Sequence, residues 1–141
     1  MKPKISIIIR ALNEVNYLEP LLKSIKNQSY GNVEIILVDS GSFDGTMEIA
    51  YQYCDKVLQI KQEEFTFGFA INHGINNAEG ELICIVSAHT LPLHSNWLKH
   101  LVNGFFQNGE IDKVAMCYGK QVGMAELNLS EKYDLERNFG D

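Results

Sequence analysis

The stretch Glu34-Ile-Ile-Leu-Val-Asp39-Ser-Gly-Ser-Phe-Asp44-Gly-Thr46 constrains this chain most, because an unbroken apolar run empties into a carboxylate and a glycine-rich polar turn. Ile35 to Val38 have the length and β-branched character of a strand covered on both faces. Asp39 then falls at its carboxyl end, where ligands sit in open α/β sheets. A second run, Ile5-Ser-Ile-Ile-Ile9, empties into Arg10-Ala-Leu-Asn13-Glu14. Two strand ends with polar tips predict a site; one alone would not.

Between and after these strands the pattern alternates. Asn13 is placed to cap a helix over residues 14–27, with Leu18, Leu21, Leu22 and Ile25 on one face. Ser42 and Asp44 are placed to cap a second helix over residues 45–53, with Ile49 and Ala50 facing inward. Val57 to Ile60 reads as a short strand, and residues 65–77 end in a helix bearing Ala70, Ile71, Gly74 and Ile75 on one side. Leu82-Ile-Cys-Ile-Val86 is wholly apolar and predicts a central strand. Asn96 opens a helix over residues 97–107, Val114 to Tyr118 reads as a fifth strand, and Ser130 is placed to cap a terminal helix towards Asn138. This alternation predicts an α/β fold with a mostly parallel central sheet and helices on both faces.

Five segments then occur together and in order over residues 5 to about 98. They are Ser6-Ile-Ile-Ile-Arg10-Ala-x-Asn13-Glu14, Gln28-Ser-Tyr30, the Glu34 to Thr46 stretch, Ala70-x-Asn72-x-Gly74 and Ala78-x-Gly80-Glu81. The chain resembles the large family of inverting, GT-A-fold glycosyltransferases called family 2. The resemblance implies a Rossmann-like GT-A fold, C-terminally truncated. It implies one domain over residues 1–141 that binds a nucleoside diphosphate sugar, UDP-linked ahead of dTDP-linked, with the acceptor- and base-bearing half absent. The implied reaction is sugar transfer to a polysaccharide or other glycan acceptor.

The resemblance also distributes roles. A strand-end Asp39 can accept from the imide N–H of uracil or thymine, a charge-assisted bond worth about 1.5–3 kcal/mol; the same carboxylate could instead bind loop amides. Arg10, Asn13, Glu14, Ser40, Asp44, Asn72, Gly74 and Ser87 complete the implied nucleotide-binding set. Several have equally simple structural readings: a salt bridge for Arg10, a first-turn helix acid for Glu14, a helix cap for Asp44, and close packing on the sheet for Gly74. Many relatives carry arginine where this chain has Phe69. Most carry D-x-D where this chain has Ser87-Ala88-His89, a variant that a subgroup shares together with the following proline, here Pro92.

Carboxylates suit the hard cations Mn²⁺ and Mg²⁺ better than an imidazole does, so the substitution weakens the expectation of a divalent metal. His89 is expected either to ligate such a metal or, as imidazolium, to contact the diphosphate directly. His73, His94 and His100 read as surface or packing residues. An inverting transferase also needs a base for the acceptor hydroxyl. Glu126, Glu131, Asp134, Glu136 and Asp141 are available, yet none stands in the family's context, so the base is expected beyond Asp141.

Composition sets the remaining bounds. With 12 Lys and Arg against 18 Asp and Glu, the net charge of −6 argues against a nucleic-acid partner. It also requires that a bound pyrophosphate be neutralised locally. No run approaches the roughly 20 apolar residues of a membrane span, which predicts a cytoplasmic protein that could sit peripherally at the inner membrane face. The three cysteines read as reduced core thiols. An uncovered sheet edge predicts a homodimer. The competing reading is a non-catalytic nucleotide-binding or interaction module. A dehydrogenase is excluded, because Ala11-Leu12-Asn13 stands where G-x-G-x-x-G should follow the first strand.

Overall fold

The computed structural model describes residues 2–107, 110–111 and 114–121. The chain divides into two compact units, one up to Leu98 and one from Lys99. The first holds β1 (Ile5–Ala11), α1 (Val15–Lys26), β2 (Val33–Asp39), α2 (Thr46–Tyr53), β3 (Lys56–Gln59), α3 (Phe67–Asn76) and β4 (Leu82–Ser87). Its four strands form one parallel sheet in the order β3-β2-β1-β4.

That order sets the layers. The crossovers β1-α1-β2 and β2-α2-β3 advance in the same direction, so right-handed connections put α1 and α2 on one face, where they pack together. The connection back to β4 reverses direction and sends α3 to the other face, against β1 and β2. Ile7, Ile9, Ile35 and Leu37 alternate with Ile8, Ile36 and Val38 along paired strands, and none is more than 1% exposed. The two central strands are therefore covered on both faces, and each such side chain contributes about 1.5–3 kcal/mol of burial. On the α3 face, Ile8, Ile36, Val38, Ile60 and Ala70 form one cluster.

Two glycines permit this packing. A Cβ on Gly74 would lie 2.6 Å from Ile8 Cγ2 and 3.2 Å from Val38 Cγ2. One on Gly80 would lie 2.5 Å from the Ser6 backbone nitrogen, so only glycine lets this loop cross the start of β1. There the Gly80 N–H donates to Ser6 Oγ at 2.8 Å, and Ser6 in turn donates to the buried Glu34 carboxylate. The Glu79 N–H also donates to Glu34, at 2.7 Å, and Lys4 and Lys56 each lie 3.5 Å from it.

Four expectations need correction. β4 is not central: among the described residues it pairs with β1 alone, and α3 covers β1 and β2 but leaves Ile83 39% and Ile85 55% exposed. Val114 to Tyr118 forms no strand, because strand propensity needs a ladder partner and that run has none among the described residues. The helix expected to reach residue 107 is α4 (Trp97–Asn103). Gly104 closes it with N–H bonds to the His100 and Leu101 carbonyls, and Phe106 and Gln107 pair antiparallel with Glu110 and Ile111 as β5 (Phe106–Gln107) and β6 (Glu110–Ile111). Asn13 does not cap α1: it sits in the left-handed region at φ 56°, a conformation asparagine tolerates. The cap comes instead from Asp44, whose Oδ2 accepts from the Val15 N–H at 3.1 Å. The helix expected after Ser130 and the five C-terminal acids lie outside the described residues.

Candidate functional site

At the carboxyl ends of β1 and β4 a cleft of about 180 Å³ opens between the loops. Arg10, Ala11, Leu12 and Glu14 line it from β1 and its following turn, Ser40 from the end of β2, and Ser87, Ala88 and His89 from β4. Phe65 and Phe67, at the start of α3, close its remaining side. The parallel sheet brings these groups together because every strand points its carboxyl end the same way.

Among the residues lining the cleft, Arg10 is the only lysine or arginine. Its guanidinium carbon lies 4.4 Å from the centroid of the Phe67 ring, and no salt bridge to it occurs among the described residues. Phe67 meets Phe65 edge-on, with ring centroids 5.4 Å apart and planes at 69°. Across the cleft His89 Nδ1 lies 3.4 Å from Glu14 Oε1, an ion pair when the ring is imidazolium. The Ser87 carbonyl accepts both the N–H and the hydroxyl of Thr90, which sets the turn that carries His89.

The polar loops behind the cleft are tied to one another. Asp39, 1% exposed, accepts from the N–H groups of Gly41 and Ser42 at 2.9 and 3.0 Å and from the Ser42 hydroxyl. The same hydroxyl accepts from the Asn13 N–H at 2.8 Å, and Asn13 Oδ1 accepts from the Phe43 N–H at 3.0 Å. Ser40 donates from its N–H and its hydroxyl to the Ala11 carbonyl. Asp44 accepts from the Thr46 N–H and hydroxyl as well as from Val15, and the Thr46 hydroxyl accepts from the Glu14 N–H at 2.8 Å. Burial would raise the Asp44 pKa, but the Thr46 hydroxyl and these amides outweigh it and hold the carboxyl below its usual range.

Of the residues expected at a site, Arg10, Glu14, Ser40, Ser87 and His89 converge on the cleft. Asn13, Asp39 and Asp44 stand behind it as loop ties. Asn72 is exposed on α3, and Gly74 is packed into the core, so neither lines the cleft. Phe65 and Phe67 were not foreseen at the site. Their signal was the Phe65-Thr-Phe67 pair around Thr66, whose hydroxyl caps α3 by accepting from the Phe69 N–H at 3.0 Å. His73 is a packing residue, stacked on Phe69. Among the described residues no three His, Cys, Asp or Glu side chains form a metal cluster, and no helix is long and apolar enough to cross a membrane.

Comparison with known proteins agrees with this architecture. An uncharacterized glycosyltransferase of Rickettsia typhi is 36% identical over 115 residues, covering 82% of this chain and 36% of that protein. TarS of S. aureus in complex with UDP-GlcNAc superposes with a TM-score of 0.64 at 27% identity, covering 72% of this chain and 30% of that one. Glucosyl-3-phosphoglycerate synthase of Mycobacterium tuberculosis, in complex with Mn²⁺, UDP and phosphoglyceric acid, superposes with a TM-score of 0.59 at 27% identity, covering 72% and 38%. The chain thus spans about a third of the length of these proteins. The fold is that of GT-A glycosyltransferases. The Glycosyl transferase family 2 profile matches residues 6–139, and the chain belongs to that family.

Proposed function

We propose that this chain forms the donor-binding part of an inverting glycosyltransferase that takes a UDP-linked sugar and delivers it to a glycan acceptor. The observation that carries the reading is the cleft itself. It gathers a cation, a carboxylate, two hydroxyls and an imidazole at the carboxyl ends of parallel strands, beside apolar rings. Its 180 Å³ is below the roughly 300–1,000 Å³ of complete ligand pockets, which suits part of a sugar nucleotide with the remainder open towards an acceptor. UDP is preferred because two of the solved structures that resemble this chain, both 27% identical to it, hold UDP-GlcNAc and UDP.

In this reading Arg10 meets the diphosphate, with the strong charge-assisted bonds that guanidinium makes to phosphate oxygens. Ser87 and Ser40 offer hydroxyls at the cleft wall. Asp39 acts mainly by holding the Gly41–Ser42 turn, and its second lone pairs remain for the base. Glu14 and His89 are the two side chains that would hold a divalent ion, since a carboxylate and an imidazole 3.4 Å apart form a chelating pair and the diphosphate can supply further oxygens. When bound, such an ion neutralises charge on the leaving diphosphate. Without it, His89 can contact the diphosphate itself. The base for the acceptor hydroxyl, the cytoplasmic setting at a membrane face, polysaccharide synthesis and a homodimer belong to the same proposal.

Calorimetric titration of UDP, with GDP as control, in Mn²⁺ and then in EDTA tests the reading. Binding of UDP in preference to GDP is expected, and no binding of UDP in either condition would refute it. Loss in EDTA would assign Glu14 and His89 to a metal, and persistence would assign His89 to the diphosphate.

A further inference from the structure

We infer that Phe67 is a positioning residue for Arg10: its ring holds the guanidinium at the cleft so that the charge meets the diphosphate of a bound nucleotide. The inference rests on the donor-site reading above and adds the element that aims its cation.

The electrostatic need is plain from the residues present. The chain carries a net charge of −6, Glu14 adds a carboxylate to the cleft, and Arg10 is the only lysine or arginine there. That one cation serves a diphosphate best if it is both placed and unspent. A carboxylate partner would place it but would neutralise it and occupy its N–H fork. An aromatic face attracts the cation through its quadrupole and leaves the charge on it. Arg10 has the second kind of partner: its guanidinium carbon is 4.4 Å from the Phe67 centroid, and no salt bridge to it occurs among the described residues.

Phe67 itself needs an explanation. It is 65% exposed, so burial does not account for a phenylalanine at this position. Its ring is nevertheless set in place. Phe65 supports it edge-on, and the Thr66 cap fixes the first turn of α3, of which Phe67 is the first residue. A ring held in water above a cleft, with a guanidinium on it, has the form of a rest for that cation.

A rival role for the same ring is direct stacking on the nucleobase, and the two separate cleanly. UDP and uridine are titrated into the chain and into Arg10→Met, Phe67→Leu, Phe67→Tyr and the Arg10→Met/Phe67→Leu double variant. Arg10→Met is expected to weaken UDP on the order of tenfold or more and leave uridine unchanged. Phe67→Leu is expected to weaken UDP roughly two- to fivefold, the range of an exposed cation–π contact, again with uridine unchanged. Phe67→Tyr should restore UDP binding, and the double variant should bind no more weakly than Arg10→Met, as coupled residues require. Unchanged UDP affinity in Phe67→Leu, an equal loss for uridine, or additivity in the double variant would each overturn the inference. Failure of the unmodified chain to bind UDP would overturn the donor-site reading first, and this inference with it.

Discussion

Replacing Gly74 by alanine separates a packing glycine from a ligand-facing one. The added Cβ would stand 2.6 Å from Ile8 Cγ2 and 3.2 Å from Val38 Cγ2, against the roughly 3.5–4.0 Å at which carbon atoms rest. Ile8 cannot yield easily, since it is fully buried in β1, which has a strand on each side. Overfilling costs about 1–3 kcal/mol, here about 2–3 because the contact is so short and Ile8 is held, and alanine's helix preference over glycine offsets about 1 kcal/mol of it. A net loss of about 1–2 kcal/mol is expected, lowering the Tm by roughly 4–8 °C for a chain of this size. Gly68→Ala supplies the control on the same helix: nothing lies within 4 Å of its added carbon, so it should be neutral or stabilising by up to about 1 kcal/mol. Both variants are melted by circular dichroism, and UDP is titrated into each below its transition. Retained UDP binding with a lowered Tm in Gly74→Ala is the expected result. A Tm equal to or above that of the unmodified chain, or an unchanged Tm with UDP binding lost, would refute the argument.

Three further outcomes follow from the polar interior and the thiols. Burial would raise the Glu34 pKa, but the Ser6 hydroxyl, the Glu79 amide, Lys4 and Lys56 outweigh it and the net shift is downward; Glu79, bonded to Lys56 and Lys4, is lowered to about 2. Carboxyls depressed in the folded state stabilise it above their unfolded pKa and lose that contribution as pH falls through the folded value, so urea midpoints should fall progressively below about pH 4.5. Glu34→Gln should cost about 2 kcal/mol at pH 7 and flatten that acid limb; an unaltered pH profile would count against the network. Asp39→Ala leaves the Gly41 and Ser42 amides without their acceptor and should cost about 1–3 kcal/mol in urea denaturation, whereas unchanged stability would show that the turn holds without it. Burial pushes the Cys54 and Cys84 thiols up to about 12, so neither should be modified by a thiol reagent at pH 8 within the time that a denatured sample reacts fully.

The sheet was legible because its strands announce themselves twice, through apolar β-branched runs and through the polar residues that end them. Ile5 to Ile9 and Ile35 to Val38 are as buried as that pattern requires, and Arg10, Glu14, Ser40, Ser87 and His89 meet at one cleft because they terminate parallel strands. That β4 has a single strand neighbour among the described residues was not legible. Leu82 to Val86 is as apolar as a central strand, and whether a neighbour exists is a property of topology that a single run does not encode. Val114 to Tyr118 failed as a strand for the same reason. The cap of α1 escaped because Asp44 lies 29 residues beyond the amide it accepts from, whereas capping rules read only adjacent positions. Phe65 and Phe67 escaped because their apolar character reads as helix packing, while their role at the cleft depends on a ring being left in water.

The two ends of the sheet use the same kinds of side chain to opposite effect. At the amino ends Lys4, Lys56, Glu34 and Glu79 are spent on one another, with Ser6 donating into the same group. That closes three strands and the approach to the fourth into one ionic cluster. At the carboxyl ends the carboxylates behind the cleft are bound into loops, Asp39 in its own turn and Asp44 at two helix starts. The cation in front of them is not. Arg10 rests on a ring rather than on an acid, although Glu14 lines the same cleft. Binding Asp39 and Asp44 into the loops, while Arg10 has no salt bridge among the described residues, leaves a guanidinium open to solvent-borne anions at the ends of the strands, with Glu14 as the one carboxylate beside it in the cleft lining. An anionic ligand can be drawn there against the overall charge, because at contact distance an unpaired neighbour outweighs distant charges that solvent and salt screen.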